Sequence, residues 1–193
     1  MAFSAEGPRP ALVVGLGNPG VRYAETRHNV GFAVVAELAR RRGLVLSADE
    51  CSAAIARGEN SWLVQPQTYM NRSGATVRCL VERFAFQPAS MLVVYDEVHL
   101  PLGKLRLRRE GSPAGHRGLE SILEALGTSE VARLRLGVGV EGMPGGSELP
   151  DFVLSPFAAA EREAVAEMVR RAADACECWL AEGIGVAMSR FNG

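Results

Sequence analysis

Lysine is almost missing from this chain: it occurs once, at Lys104, beside 20 arginines, and histidine is limited to His28, His99 and His116. No cysteine lies near those histidines in the chain, so no spaced zinc-type ligand set is present. Cysteine itself is confined to Cys51, Cys79, Cys176 and Cys178. That is too few for a disulfide scaffold, and Cys176 and Cys178 point to different sides of a helical pattern. The opening MAFSAEGPRP has no basic segment followed by an apolar run, so no secretory signal is read there. All four cysteines are therefore expected to be reduced thiols in a cytoplasm. Uncharged apolar runs of about 18 residues are absent, which excludes a membrane-spanning helix. Net charge is also nearly absent, at -1, which excludes a uniformly basic nucleic-acid coat but not a local basic patch. What is present, 48% hydrophobic and 22% charged residues over 193 positions, describes a folded domain rather than a disordered chain. No repeat or linker divides it, so one domain over 1–193 is expected, with 1–9 as a flexible tail.

Apolar periodicity alternates between strand and helix. Residues 11–14 read as a buried strand running into glycines. Val30, Val34 and Leu38 form one helical stripe that stops at Gly43. Segments 53–57 and 62–65 flank Gly58-Glu59-Asn60-Ser61 and form a hairpin. Val77, Leu80, Val81 and Phe84 are spaced as a helix, 91–95 as a buried strand, 118–126 as a short helix and 133–140 as a strand. Segment 104–109 alternates charged and apolar residues and is a strand with one wet face. Ser155 and Pro156 suit the cap and first position of a long helix with the stripe Val165, Met168, Val169, Ala172, Cys176, Trp179 and Leu180. The expected fold class is α/β, a single domain with a mixed β-sheet flanked by helices, because the hairpin must be antiparallel.

Gly15-Leu16-Gly17-Asn18-Pro19-Gly20 matches a dinucleotide-binding glycine pattern. Its context does not fit, because Pro19 and a polar segment separate the glycines from the next helix. The acidic residue at the right distance, Glu37, lies inside a helix. The same loop carries Asn18, Tyr23, His28 and Asn29 after a buried strand, where catalytic groups often sit. His28 near a helix start is expected to stay neutral and able to accept a proton; from this segment alone an ordinary first-turn residue is the favoured reading. Asp96, just past the expected strand 91–95, is placed either to orient a histidine or to cap a turn. Asn71 opens a helix, as a cap or as an amide for a substrate carbonyl. Segment 111–118 is a flexible turn or a lip over a cleft. No nucleophile elbow is present, so a covalent intermediate is not indicated.

Several segments together resemble the bacterial-type peptidyl-tRNA hydrolase family over nearly the whole chain. They are VGLGNPGVRYAETRHNVGF at 14–32, TYMNRSG at 68–74, DEVHLPLGK at 96–104, GHRGLESI at 115–122, RLRLGVG at 133–139 and DFVLSPF at 151–157. The resemblance implies a cytoplasmic, monomeric, cofactor-free and metal-independent esterase of translation that cuts peptide from tRNA in peptidyl-tRNA. It implies His28 as general base, Asp96 as its orienting carboxylate, and Asn18 as the amide that reads the acylated nitrogen. It further implies Asn71 as a holder of the peptide backbone or oxyanion, Tyr23 and Tyr69 as contacts to the tRNA 3′ end, and Arg108 and Arg135 as a basic pair for its 5′ phosphate.

One loop departs from the family pattern Gly-Gly-His-Asn-Gly and reads Ala114-Gly115-His116-Arg117-Gly118. A guanidinium has no acceptor, so the role of the family's Asn does not transfer to Arg117. Arg117 is expected to contact RNA phosphate or the peptide side, and His116 to anchor the loop. The alternative from another class is a non-catalytic RNA-binding member resembling a splicing cofactor.

Overall fold

The structure is a computed structural model and describes residues 10–49 and 51–193; the expected tail at 1–9 lies outside the described residues. Its strands are β1 (Ala11–Gly15), β2 (Ser47–Asp49), β3 (Ala53–Arg57), β4 (Ser61–Pro66), β5 (Met91–Pro101), β6 (Leu105–Arg108) and β7 (Ala132–Gly139). The helices are α1 (Val30–Arg41), α2 (Ser73–Phe84), α3 (Arg117–Leu126), α4 (Leu149–Val153) and α5 (Arg162–Phe191). The sheet order is β2-β3-β4-β1-β5-β7-β6. β1 pairs in parallel with β4 and β5, and β5 with β7, while the β2-β3-β4 ribbon and β6 run antiparallel. The expected mixed sheet and hairpin are both present.

Strand alternation sends side chains to two cores. Val13, Leu92, Val94, Leu134 and Leu136 pack with Val34 and Leu38 of α1 and with Met168, Ala172 and Cys176 of α5. Leu12, Val14, Val64 and Val93 pack on the other face with Val77 and Leu80 of α2 and Leu119 and Ile122 of α3. The glycine-rich segment after β1 serves this packing. A Cβ on Gly15 would lie 2.1 Å from the Gly31 carbonyl oxygen, and one on Gly31 would lie 2.4 Å from the Val94 carbonyl oxygen. These glycines let α1 touch the sheet backbone, which accounts for the motif without a dinucleotide.

Three expectations are corrected. β5 does not stop at residue 95, because its pairing with β7 continues through Asp96 and Glu97; the two carboxylates sit inside a strand. Ser155 and Pro156 do not open the long helix. Pro156 forms a bridge with Thr26, and α5 begins only at Arg162. Cys51 and Cys79 are joined in a disulfide, with Cα atoms 5.6 Å apart, so only Cys176 and Cys178 are free thiols. α2 lies against the start of β3, where Thr76 bonds the Ser52 carbonyl, and this tertiary packing is what brings the two sulfurs together.

β6 is the edge of the sheet. Asn192 covers part of that edge: its Oδ1 accepts from the Leu107 N–H at 2.6 Å and its Nδ2 donates to the Leu107 carbonyl at 3.1 Å. α5 contains a break at Gly183, φ 81°, a left-handed conformation that favours glycine. Asn192→Ala removes both bonds and should cost about 1–3 kcal/mol. Urea unfolding should give a lower midpoint at unchanged slope; an unmoved midpoint would show that the edge does not need this cover.

Candidate active site

Asp96 is 3% exposed and sits on β5. Two imidazoles reach it from different elements. His28, on the 3-10 turn before α1, has Nδ1 2.8 and 3.0 Å from the two Asp96 oxygens, and His116 has Nε2 3.0 Å from Oδ1. The other nitrogen of His116, Nδ1, accepts the Leu119 backbone N–H at 3.2 Å and caps α3. An acceptor at Nδ1 places the His116 proton on Nε2, where it is donated to Asp96. Asp96 is an acceptor, so His28 likewise carries its proton on Nδ1, and its Nε2 lone pair is left over. His28 lines the cleft.

The electrostatics follow from this arrangement. Burial works against protonated His28, but the Asp96 charge and hydrogen bond outweigh it, with Arg117 opposing them, so His28 titrates above the ordinary 6.5. The expectation that the helix end alone keeps His28 neutral is thus corrected: the carboxylate dominates. Burial also disfavours ionised Asp96, yet the His28 and His116 imidazoles, by charge and hydrogen bonding, hold its carboxyl well below the usual range. His28, Asp96 and His116 offer ligand atoms within 4.8 Å of one another. A cation there would need the Nε2 proton of His116 removed. That would leave Nδ1 as a donor facing the Leu119 donor, so the hydrogen bonding suits a proton relay better than a metal.

Asn18 is 6% exposed and fixed from both ends. Its backbone N–H donates to Asn29 Oδ1, Asn29 Nδ2 donates to the Asn18 carbonyl, and its own Oδ1 accepts the Met70 N–H at 2.8 Å. The oxygen is thereby engaged, and the amide's donor side is what remains for a ligand. Asn71 stands in the 3-10 turn Met70–Arg72 ahead of α2, with Arg72 at the cap position instead.

One cleft of about 450 Å³ gathers Asn18, Tyr23, His28, Tyr69, Asn71, Asp96, His116 and Arg117. Arg108 and Arg135 do not line it. They line a neighbouring cavity of about 380 Å³ with Tyr95 and Arg133, and Ala114 belongs to both. Burial pushes the Tyr95 phenol up to about 12, so it stays protonated there. Arg135 is also paired, donating to Glu97 Oε2 through Nε at 2.9 Å and through Nη2. Arg133, fully buried, is spent on the carbonyls of Gly111, Ser112, Ser129 and Val131 and holds the loop. Cross-strand register sets Arg106 opposite Arg135 and Arg108 opposite Arg133 on one face of β6–β7.

Sequence reasoning missed several contributors. Asn29 was grouped with the loop, but its grip on Asn18 has no sequence signal. Glu97 holds Arg135, a partner on another strand that its place in the chain does not signal. The apolar wall Leu149, Pro150, Val153 and Leu154 was not anticipated at all. A polar, Gly-rich stretch ending in Leu-Pro and Val-Leu was the one available hint.

Comparison with known proteins identifies the family. The profile of the peptidyl-tRNA hydrolase family matches residues 12–193. Peptidyl-tRNA hydrolases of Synechococcus sp. (strain JA-3-3Ab) and Chloroflexus aggregans are each 47% identical over 186 residues, covering 94% of this chain and 82% and 98% of theirs. The crystal structure of the peptidyl-tRNA hydrolase from Acinetobacter baumannii superimposes with a TM-score of 0.89 at 32% identity, over 95% of both chains. With the family profile spanning residues 12–193 and the fold matched over 95% of its length, the chain belongs to the peptidyl-tRNA hydrolase family.

Proposed function

We propose that this chain hydrolyses the ester between peptide and tRNA in peptidyl-tRNA with His28 as general base. The observation that carries the reading is the His28–Asp96 pair, with Nδ1 of His28 bound to a buried carboxylate on a cleft wall. Nε2 of His28 takes a proton from water, and the resulting hydroxide attacks the ester carbonyl carbon. The imidazolium then returns that proton to the ribose oxygen that leaves. Asp96 fixes the tautomer and stabilises the imidazolium while it exists.

Asn18 supplies the choice between esters. The family resemblance implies that Asn18 reads the acylated nitrogen; with Oδ1 engaged by the Met70 N–H, the better-supported partner is the acyl carbonyl, met by the Asn18 NH₂. A free aminoacyl ester presents an ammonium at that place, a donor against a donor. Asn71 is assigned to the developing oxyanion or the peptide backbone. Tyr23 and Tyr69 offer ring faces to the terminal base, a contact worth about 1–3 kcal/mol per base. On the arginine face of β6–β7, Arg133 is spent on loop carbonyls and Arg135 is paired with Glu97, so Arg106 and Arg108 are the charges that support tRNA binding. Among the described residues Arg106 Nε is buried without a partner, and Arg108 is exposed and lines the neighbouring cavity. Arg117 is exposed and lines the cleft, and is assigned to a phosphate contact. No observation favours the non-catalytic RNA-binding alternative, and the proposed reaction needs no metal or cofactor.

Release of peptide from an N-blocked aminoacyl-tRNA should proceed in the presence of a chelator. His28→Ala should lower kcat by roughly 10²–10⁴-fold with KM little changed. Near wild-type kcat in that variant, or activity that a chelator abolishes and a divalent ion restores, would sink the mechanism.

The pH profile carries a further expectation. Because neutral His28 is the active form and its titration is raised, kcat/KM should fall as pH drops through a value above 6.5. Asp96→Asn should lower kcat and move that acid limb to lower pH, and Arg117→Gln should move it to higher pH. Limbs that stay in place in both variants would detach His28 from the observed titration.

Binding to tRNA should weaken with salt despite a net charge of -1. Arg108→Ala should raise KM on full tRNA more than on a minimal ester and reduce the salt slope by about one. Equal effects on both substrates would remove the phosphate role.

A further inference from the structure

The residue immediately before His28 carries a second buried charge that the proton relay does not use. The Arg27 side chain is 6% exposed and does not line the cleft. Its Nη2 donates to both oxygens of Glu161, at 3.0 and 2.7 Å. Its guanidinium carbon lies 4.5 Å from the ring centre of Phe152 and 4.7 Å from that of Phe157. Among the described residues, Nε and Nη1 have no hydrogen-bond partner. The backbone reinforces the link: Arg27 N–H donates to the Ser155 carbonyl at 3.1 Å, and Thr26 bridges Pro156. Residues 152–161 are therefore folded around one side chain.

That segment begins in α4. None of the five residues of α4 is buried, so the helix has no core of its own, and a helix this short is not stable by itself. Its position depends on what it is tied to. Phe152 faces Arg27, while Leu149, Pro150, Val153 and Leu154 form the uncharged wall of the cleft. Arginine is suited to the link, because its flat guanidinium stacks on the two rings while its end nitrogen Nη2 donates to the carboxylate. A lysine in the same place keeps the charge and loses the flat stack on the rings.

We propose that Arg27 is a positioning residue that holds the α4 wall of the cleft against the turn carrying His28, and thereby sets how tightly the cleft grips the apolar part of the acyl group. The inference rests on the reaction proposed above. The wall carries no charge and no hydrogen-bonding side chain, so it suits an apolar side chain rather than ribose or phosphate. The stacking and charged groups Tyr69 and Arg117 belong to other elements of the same cleft. Arg27 acts through α4 and not on the reacting atoms.

The test compares two esters and one measurement that needs no substrate. In Arg27→Lys, KM for N-acetyl-phenylalanyl-tRNA should rise about tenfold while kcat stays within about twofold, and KM for N-acetyl-glycyl-tRNA should change much less. Amide hydrogen exchange over 149–158 should accelerate while β1 stays protected. Glu161→Gln, which keeps the side chain and removes the charge, should give the same pattern in weaker form. An equal rise in KM on both esters, a fall in kcat at unchanged KM, or unchanged exchange over 149–158 would each overturn the proposal. A wild-type protein that cleaves neither ester would overturn the reaction instead, and the exchange measurement would still decide whether Arg27 holds α4.

Discussion

A buried carboxylate that accepts from two imidazoles joins the three parts of this molecule that matter for its chemistry. Asp96 belongs to a central strand, His28 to the turn before α1, and His116 to the start of α3. An ionised group at that depth would cost several kcal/mol if left alone. Here the donors that stabilise it are the groups it organises. The cost of burying the charge is offset by the bonds that fix the cleft, and removing any one member leaves the others with unmatched donors or acceptors. His116 is tied twice, to the carboxylate and to the Leu119 amide, so the helix start and the His28–Asp96 pair are set in register.

How far this was legible in the sequence varied with the range of the interaction. Apolar runs and local alternation marked every strand but β2, together with the hairpin at 53–57 and 62–65 and the wet face of β6, because each depends on neighbours in the chain. The predicted site residues other than Arg108 and Arg135 came together in one cleft, although neither His28 nor Asp96 could be separated from a bland turn residue by local pattern alone. What failed depended on distant partners. Asp96 was placed past a strand end because a charged pair normally ends an apolar run; the pairing with β7 carries the strand on. Ser155 and Pro156 have good helix-start chemistry, but the bridge to Thr26 takes that segment out of the helix. The Cys51–Cys79 bond needed the packing of α2, and Arg135 needed Glu97 from the next strand, neither of which a spacing rule contains.

The near-zero net charge hides a strongly uneven distribution. Arg106, Arg108, Arg133 and Arg135 share one face of two strands, with Leu105, Leu107, Leu134 and Leu136 on the other. The four are not equivalent. Arg133 is consumed in holding the loop, and Arg135 is balanced by Glu97, while Arg108 stays exposed. A count of basic residues would have credited all of them to RNA. Burial and partners divide them into scaffold and free charge, and only the second kind contributes to salt-dependent attraction.

The cover on β6 has a consequence for the order in which the chain becomes safe from its neighbours. Leu107 and Asn192 are 85 residues apart, so at about 5–20 residues per second the ribosome makes the edge strand roughly 4–17 s before the amide that seals it. During that interval the strand offers an open backbone to any nascent chain nearby. Arg106 and Arg108, alternating along it, act as charged gatekeepers against such pairing. The same arginines would then serve two stages of the protein's life, first by repelling copies of itself and later by attracting nucleic acid.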